Sequence, residues 1–436
     1  ETKHHGHHGT NAQRNHACNC QQYTRLTSSI SMALRRAHGF ARYAFSVTYH
    51  GAVHLGIAYQ GEGRGENCIL PDGTDLRGVR SVEGRIHQAL SSLVGPSNYE
   101  NLQVSSRTDR GVHALKNTCH VDIRPRKGWW SASSSDTSTN NENDSDRSSN
   151  DDAGAGWDAK GLKQGINYYL RQQSNIVRTD DAQSTKKSSR KRSRSALHQQ
   201  SNSNYSSLPW VTSRMYQSSV ENSVRVLNVL PAPLTAPNKF YTGGADCTEP
   251  AEIDWNIRFT AKSRTYCYRV LHMVGDERDA YVPFEFDRSW RIVGDDEPLD
   301  IDAMNSAGKA LVGRHDFTSF RGRDCQRLSP VVTLNEIIIS STPYSQLLHL
   351  HGNIDDSDEW NASSSVRLYT ILITGESFVY RQVRNIVGCL VKVGQGKVKA
   401  AEVKEILQER KRRLAPAMAP AHGLFLVDVK HHGLDL

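Results

Sequence analysis

Long apolar runs are missing from this 436-residue sequence, and only 37% of its residues are hydrophobic. The longest apolar stretches, such as the one around residues 385–391, fall far short of the about 20 residues that a membrane-spanning helix needs. An integral membrane protein is therefore excluded, and no membrane partner is expected. The low apolar content instead predicts one or two ordered domains interrupted by polar insertions.

Cysteine is also sparse, with 8 residues that are mostly isolated from one another. Scattered cysteines in a chain of this length do not make a disulfide framework, and they favour a reducing compartment. The net charge of +8 permits an anionic partner but does not identify one.

Acidic residues are absent from residues 2–61, which contain six lysines and arginines. An acid-free start rich in Ser and Arg is typical of an organellar transit peptide, and equally of an ordinary basic arm. Residues 1–42 are thus interpreted as a basic, His-rich N-terminal arm or transit remnant, and a mitochondrial location is predicted. The basic run at residues 186–194 provides the alternative, a nuclear address.

The N-terminal arm has histidines at positions 4, 5, 7 and 8 and cysteines at positions 18 and 20. This spacing matches no closed tetrahedral zinc site. His-rich tails are usually compositional features without fixed ligand geometry. A metal site is therefore not the favoured interpretation, and the sequence leaves open whether this arm binds a metal.

Three strongly polar segments predict insertions, at about residues 131–152, 180–207 and 341–365. Such segments have too few apolar residues to bury a core. Surface loops are where insertions are tolerated, so the core pattern is read across them.

The remaining sequence alternates between strand and helix patterns, which predicts an α+β protein. It divides into two similar halves of antiparallel strands and helices, residues 43–230 and 254–436, with a hinge at residues 231–253. Strands are expected at residues 43–49, 102–105, 118–123, 223–229, 258–272, 331–340 and 366–374, and helices at residues 81–94, 161–170, 301–312, 379–393 and 400–410.

The sharpest local pattern is a carboxylate in a turn between two predicted strands. Residues 105–114 read S-S-R-T-D-R-G-V-H-A. Gly111 is free to adopt a positive φ, and Thr108 offers a hydroxyl to hold the turn. A positioned carboxylate at Asp109, beside Arg107, could act as a nucleophile or general base, although an Asp in such a turn is more often structural.

The whole string resembles the catalytic loop of the TruA family of tRNA pseudouridine synthases, which reads R-T-D-x-G-V-H-A. Further segments resemble the same family in the same order. They are residues 165–167 with 224–226, residues 259–268 (F-T-A-K-S-R-T-Y-C-Y), residues 315–320 (H-D-F-T-S-F), residues 378–388 (F-V-Y-R-Q-V-R-N-I-V-G) and residues 417–429 (A-M-A-P-A-H-G-L-F-L-V-D-V). Six motifs in the family's order are not expected by chance.

The resemblance implies that both halves join into one pseudouridine-synthase-like catalytic unit with a central cleft. It implies that Asp109 attacks the target uridine, that the glycosidic bond breaks, and that the uracil rejoins through carbon without a metal or nucleotide cofactor. Arg384 matches the arginine that pairs with the catalytic aspartate. Tyr266 matches the tyrosine that stacks on the flipped base and helps to remove its proton.

RNA contacts are implied in the same way. Arg107 matches the loop arginine that helps to evict the base from its stack. The other residues expected to bind substrate are Thr108, Arg110, His113, Arg264, Phe378 and Arg381. Further out, the basic residues 411–413 are predicted to meet RNA phosphates.

The first predicted strand departs from the family. Where the family reads Y-D-G and then G-W-Q, residues 49–51 read Y-H-G and residues 56–60 read G-I-A-Y-Q. The loss of the Asp and the Trp predicts an altered RNA footprint.

Two functions are therefore considered. The first is a pseudouridine synthase acting on structured RNA, with tRNA as the preferred and rRNA as the second substrate. The alternative is a catalytically weak or inactive RNA-binding factor in organellar ribosome assembly. The sequence leaves open whether the chain forms a homodimer or binds ribosome-assembly partners.

Overall fold

The structure is a computed structural model, and it describes residues 39–58, 81–125, 157–172, 223–237, 252–274, 285–344 and 366–436. The N-terminal arm up to residue 38 and the insertions at residues 131–152 and 180–207 lie outside these ranges. The third insertion lies outside them from residue 345 onward.

Twelve strands and five α-helices occur in the described ranges. The strands are β1 (Ala41–Tyr49), β2 (Tyr99–Val104), β3 (His113–Ile123), β4 (Val224–Pro231), β5 (Thr235–Pro237), β6 (Glu252–Asp254), β7 (Ala261–Val274), β8 (Trp290–Asp295), β9 (Gly313–Asp316), β10 (Val331–Pro343), β11 (Val366–Gly375) and β12 (Leu424–His431). The helices are α1 (Val82–Val94), α2 (Ala159–Gln172), α3 (Ile301–Lys309), α4 (Gln382–Gly394) and α5 (Ala400–Glu409). Within these ranges, no helix is long and apolar enough to span a bilayer.

Ten of the strands form one sheet. Its main order is β4-β1-β3-β12-β7-β11-β10-β9, with β2 also beside β3 and β8 also beside β7. The described neighbours run antiparallel, except that β12 is parallel to β3 and β8 is parallel to β7. This large, mostly antiparallel sheet with its helices confirms the predicted α+β class.

The last strand, β12, joins strands that are far apart in the sequence. It pairs with β7 along most of its length and with β3 at two positions, Phe425 with His113 and Leu426 with Ala114. The start of β3, directly after the Asp109 loop, is thereby separated from β7 by β12 alone. The sheet is continuous from β4 to β9, whereas the division into two halves with a hinge at residues 231–253 stays a prediction.

Local capping explains where the helices begin and end. The Ser81 hydroxyl accepts a hydrogen bond from the Gly84 N–H, and Gly95 ends α1 with φ at +91°, as the sequence predicts. Helix α4 begins at Gln382, later than the expected residue 379, because Arg381 takes a left-handed conformation with φ at +61°. Strand β3 begins at His113 rather than at residue 118, which shortens the loop that carries Asp109.

Helix α4 is the most deeply placed of the described helices, since all its residues except Lys392 are buried. Gly388 allows the chain near residue 417 to cross it, because a Cβ at Gly388 would lie 2.1 Å from the Ala417 carbonyl oxygen. The Tyr268 hydroxyl donates to the Pro420 carbonyl at 2.7 Å. The segment before β12 is thus fixed between α4 and β7.

A buried ion pair joins β1 to β3. The Arg42 guanidinium donates to both carboxylate oxygens of Asp122, at 2.5 and 2.6 Å, and the two side chains are 3% and 4% exposed. Arg42 also donates to the Trp255 carbonyl and, at 3.3 Å, to the Asp254 carboxylate. This arginine, predicted from the sequence to lie in the N-terminal arm, is therefore part of the folded core.

We expect Asp122→Ala to lower the free energy of unfolding by about 3–5 kcal/mol, because it leaves a buried guanidinium without its main counter-ion. Urea denaturation measures this change. The matched control is Lys411→Ala, which removes an ion pair of 2.7 Å whose two side chains are both 52% exposed; such a pair contributes about 0–1 kcal/mol. Equal losses in the two variants would contradict the importance of the buried pair.

Candidate active site

Asp109 lies in the loop of residues 105–112 between β2 and β3. The Val112 N–H donates to the Asp109 carbonyl at 3.1 Å, and this closes a tight turn. Gly111 supplies the positive φ, +83°, that the turn requires. Asp109 on this turn lines a cavity.

The loop is held from below by buried polar groups. The hydroxyls of Thr108 and Tyr49 share a hydrogen bond of 2.8 Å. The Asn117 amide donates to the Tyr49 hydroxyl at 3.2 Å and to the Ser106 carbonyl at 2.8 Å. Gly56 permits a close approach, since a Cβ there would lie 2.9 Å from the Thr108 carbonyl oxygen. Satisfied buried polar groups of this kind fix a single loop conformation.

Two arginines from the start of α4 meet the Asp109 carboxylate. The Arg384 Nη1 donates to Oδ2 at 3.2 Å, and the Arg381 Nε lies 3.7 Å from the same oxygen. The expected ion pair of Asp109 and Arg384 is thus present. Among the described residues, no side chain donates a hydrogen bond to the other carboxylate oxygen, Oδ1, which leaves its hydrogen-bonding capacity available to a ligand.

Arg384 is itself oriented by the backbone. Its Nε donates to the Ala419 carbonyl at 2.8 Å, and the Ala419 N–H donates to the Arg384 carbonyl at 3.1 Å. Burial lowers the pKa of Arg384, and the neighbouring Asp109 charge opposes that shift. The guanidinium is therefore a positioned, largely buried partner of the carboxylate rather than a mobile surface charge.

Tyr266 projects from β7 into the same cavity. Only 8% of its surface is exposed, and its ring lies edge-on to Phe378 with ring centroids 5.1 Å apart. Burial raises the pKa of Tyr266 to about 12. Its hydroxyl is consequently protonated at neutral pH.

The cavity has a volume of about 580 Å³, within the range typical of ligand sites. Its wall has many cations, and among its described residues Asp109 is the only carboxylate. The cationic side chains are Arg107, Arg258, Arg264, Arg327, Arg381 and Arg384. This charge distribution suits a polyanionic ligand.

Arg264 connects the two segments that build the cavity. Its Nε donates to the Ser106 hydroxyl at 2.9 Å and its Nη2 to the Ser105 carbonyl at 3.3 Å, both in the Asp109 loop. Its Nη1 donates to the Glu376 carbonyl at 2.7 Å, directly after β11. These bonds hold the loop against the segment that leads to Arg381 and Arg384, so the structure gives Arg264 an internal positioning role beside its expected contact with substrate.

The expected site residues divide into two groups. Eight of them line the cavity, namely Asp109, Tyr266, Arg384, Arg107, Thr108, Arg264, Phe378 and Arg381. Arg110 is exposed outside the cavity lining, and His113 is buried within the protein. The cavity is also lined by Arg258, Phe259 and Arg327, which the sequence patterns did not select; Phe259 was at least part of a recognised motif.

His113 makes internal contacts. The Gly51 N–H donates to its Nδ1 at 3.1 Å, and its Nε2 lies 3.0 Å from the Asp287 carbonyl. Its ring stacks on Phe425 at 4.5 Å. Burial, together with the nearby His50, lowers the pKa of His113 to about 4, so the ring is neutral and donates from Nε2.

The departure at position 50 has a structural counterpart. The His50 Nε2 lies 3.1 Å from Oδ2 of Asp287, the residue whose carbonyl His113 meets. The His50 side chain thus contacts Asp287 and does not line the cavity.

Within the described ranges, no group of three His, Cys, Asp or Glu residues could hold a metal, and the histidines at positions 4–8 lie outside those ranges.

The buried His113 predicts a pH-dependent stability. The unfolded chain takes up the proton below about pH 6.5, whereas the folded protein resists it down to about 4. The contribution of His113 to the free energy of unfolding is therefore fully present above about pH 6.5. It should be lost as the pH drops from 6.5 towards 4. His113→Gln removes the titration and keeps an acceptor and a donor, so its stability should fall less over that range.

Urea denaturation of both proteins at pH 7 and pH 4.5 measures the difference. Parallel losses would assign the effect to other histidines, such as His272 and His422, whose pKa burial also lowers.

Known proteins are similar to this chain over part of its length. A family model described as tRNA pseudouridine synthase matches residues 307–432, which include Arg381 and Arg384 but not Asp109 or Tyr266. The chain is 33% identical over 178 residues to tRNA pseudouridine synthase A of Azorhizobium caulinodans, covering 41% of this chain and 57% of that protein. It is 35% identical over 180 residues to the protein of the same name from Caulobacter sp. strain K31, covering 41% and 60%. The chain thus spans less than two thirds of the length of the curated relatives it matches.

Proposed function

We propose that this chain, which belongs to the TruA family of tRNA pseudouridine synthases, isomerises uridine to pseudouridine in structured RNA. The preferred substrate in this proposal is tRNA, with rRNA second. One observation supports it above all: Asp109, Arg384 and Tyr266, far apart in the sequence, line one arginine-rich cavity in which Asp109 is the only carboxylate among the described residues.

Asp109 serves as the nucleophile in this proposal. Its Oδ2 is held by Arg384 and approached by Arg381, while no described residue donates a hydrogen bond to Oδ1 and Asp109 lines the cavity. A carboxylate that is fixed through one oxygen and open at the other can attack a bound uridine. The C1′–N1 glycosidic bond then breaks, the uracil turns, and C5 bonds to C1′ as the bond to Asp109 is released. The proton lost from C5 is balanced by one gained at N1.

Tyr266 supplies a stacking surface for the flipped uracil. A base must leave its stack before chemistry can reach it, and an aromatic ring offsets part of that cost. Burial raises the pKa of Tyr266 to about 12, so its hydroxyl is protonated at neutral pH before RNA binds. Arg107, exposed on the Asp109 loop at the cavity wall, is positioned to enter the space that the base leaves.

The mutation Asp109→Asn should abolish uridine conversion, because it keeps the size and turn geometry but removes the charge of the nucleophile. A tRNA transcript incubated with purified protein is digested to nucleosides, and chromatographic separation of pseudouridine from uridine, which have the same mass, measures the conversion. Near wild-type conversion by this variant would disprove the assignment. A wild-type protein that binds the transcript but converts none of it would instead favour the alternative, an RNA-binding factor in organellar ribosome assembly.

RNA binding in this proposal depends on arginines that the fold leaves unpaired. Arg107 and Arg258 have no carboxylate partner among the described residues. A basic run at residues 410–413 lies outside the cavity lining. In this run, Arg410 lies 3.4 Å from Asp316, Lys411 lies 2.7 Å from Glu409, and Arg412 donates at 2.9 Å to Asn385. Arg413 alone in that run has no described partner, so it is the best supported of the predicted phosphate contacts there.

The salt dependence of RNA binding can distinguish cations that contact RNA phosphates from cations that do not. Arg107→Gln should reduce the slope of log affinity against log salt by about one, because the RNA then releases about one counter-ion fewer when it binds. Lys160→Gln, which neutralises an exposed cation on α2 outside the cavity lining, serves as the control and should leave the slope nearly unchanged. Binding of a tRNA transcript between 50 and 300 mM salt, roughly the range where such slopes are resolved, measures both. An unchanged slope for Arg107→Gln would remove this residue from the RNA contacts.

Mitochondrial location, with the nucleus as the alternative, remains a prediction because residues 1–38 and 186–194 lie outside the described ranges. A homodimer and ribosome-assembly partners likewise remain predictions.

A further inference from the structure

One aromatic side chain at the cavity is exposed without an assigned role. Phe259, two residues before β7, is 50% exposed. Of the large hydrophobic side chains that are exposed in the described ranges, it is the one that lines the active-site cavity. The other aromatic residues of the wall, Tyr266 among them, are less exposed. Phe259 therefore presents a ring to whatever occupies the cavity.

The turn that carries Phe259 is rigidly held. The Asn256 carbonyl accepts hydrogen bonds from the Phe259 N–H at 3.1 Å and the Thr260 hydroxyl at 2.8 Å. The Asn256 side chain accepts from the Arg258 N–H at 2.9 Å and donates to Gln103 at 3.0 Å. The nearby Ile257 is fully buried. The backbone that carries the ring is therefore held in one conformation, so less conformational entropy is lost when this segment binds a ligand.

A free cation accompanies the ring. Arg258 is exposed at the cavity wall, and its guanidinium carbon lies 6.0 Å from the centroid of the Phe259 ring. No carboxylate among the described residues pairs with it. An aromatic face beside an unpaired arginine is the combination that single-stranded nucleic acid uses, with a base on the ring and a phosphate on the cation.

We propose that Arg258 and Phe259 form a subsite for the nucleotide adjacent to the target uridine. The inference rests on the proposed RNA substrate. When a uridine leaves its stack, its neighbour also loses a stacking partner. Phe259 replaces that partner on the neighbouring base, and Arg258 binds the phosphate next to it. Since Phe259 and Asp109 line the same cavity, a strand that places a uridine at Asp109 passes this ring.

The experiment uses the full chain and short oligouridylates as probes. We measure the dissociation constants of uridine monophosphate and of uridylates two to five nucleotides long, at one salt concentration. Wild-type protein should bind the longer probes more tightly than the mononucleotide. Phe259→Leu should reduce this gain by about tenfold, as expected for the loss of one base-stacking contact, and leave the affinity for the mononucleotide unchanged.

Matched variants distinguish aromatic stacking by Phe259 from a contact that any apolar side chain of similar size could make. Phe259→Tyr should retain the gain, because it keeps the aromatic face. Arg258→Gln should lower the salt slope for the pentanucleotide by about one, whereas Arg258→Lys should keep it. Thermal unfolding of each variant checks that the exposed substitutions leave the fold intact.

Three outcomes would overturn the subsite: a wild-type protein that gains nothing from a second nucleotide, a Phe259→Leu variant that keeps the whole gain, or one that loses mononucleotide affinity equally. Uridine conversion by the wild type is measured separately on a tRNA transcript. Conversion without a Phe259-dependent gain rejects the subsite alone. A Phe259-dependent gain without conversion rejects the proposed catalysis and supports the subsite.

Discussion

The ion pair between Asp109 and Arg384 is the contact on which the site depends. It joins two residues that are 275 positions apart, one on a loop after β2 and the other on the buried helix α4. A carboxylate and a guanidinium that are partly withdrawn from water attract each other more strongly than a surface pair does, provided that other contacts fix both. Those contacts are supplied by Tyr49 and Asn117 beneath the loop and by the Ala419 backbone beside Arg384.

The end of the chain makes this pairing possible. Strand β12 lies between β3 and β7, so it brings the loop before β3 close to the strand that carries Tyr266. The segment just before β12 crosses α4 at Gly388, where the backbones approach too closely for any side chain. A residue larger than glycine at this crossing would push α4, and Arg384 with it, away from Asp109.

The cavity arginines illustrate how one residue type serves two purposes. Arg264 and Arg384 direct their donors to the protein, and by doing so they place the loop and the carboxylate. Arg107 and Arg258 have no such partners among the described residues, and they remain available to phosphates. Burial distinguishes the two kinds, since a buried guanidinium needs internal acceptors whereas an exposed one is solvated until a ligand arrives.

Local sequence patterns were enough to establish the α+β class, most of the elements and the residue types of the site. Period-two and period-3.6 patterns are local, and so are the Ser81 cap and the Gly111 turn. The family motifs added Asp109, Tyr266 and Arg384, which no spacing rule could have connected. The folded chain was needed to show that Arg42 belongs to the core, that His113 is held internally by Gly51 and Asp287, and that Arg258 and Phe259 face the cavity. Each of these outcomes depends on which residues, far away in the sequence, lie close by in the fold. A local sequence pattern carries no information about such spatial distances.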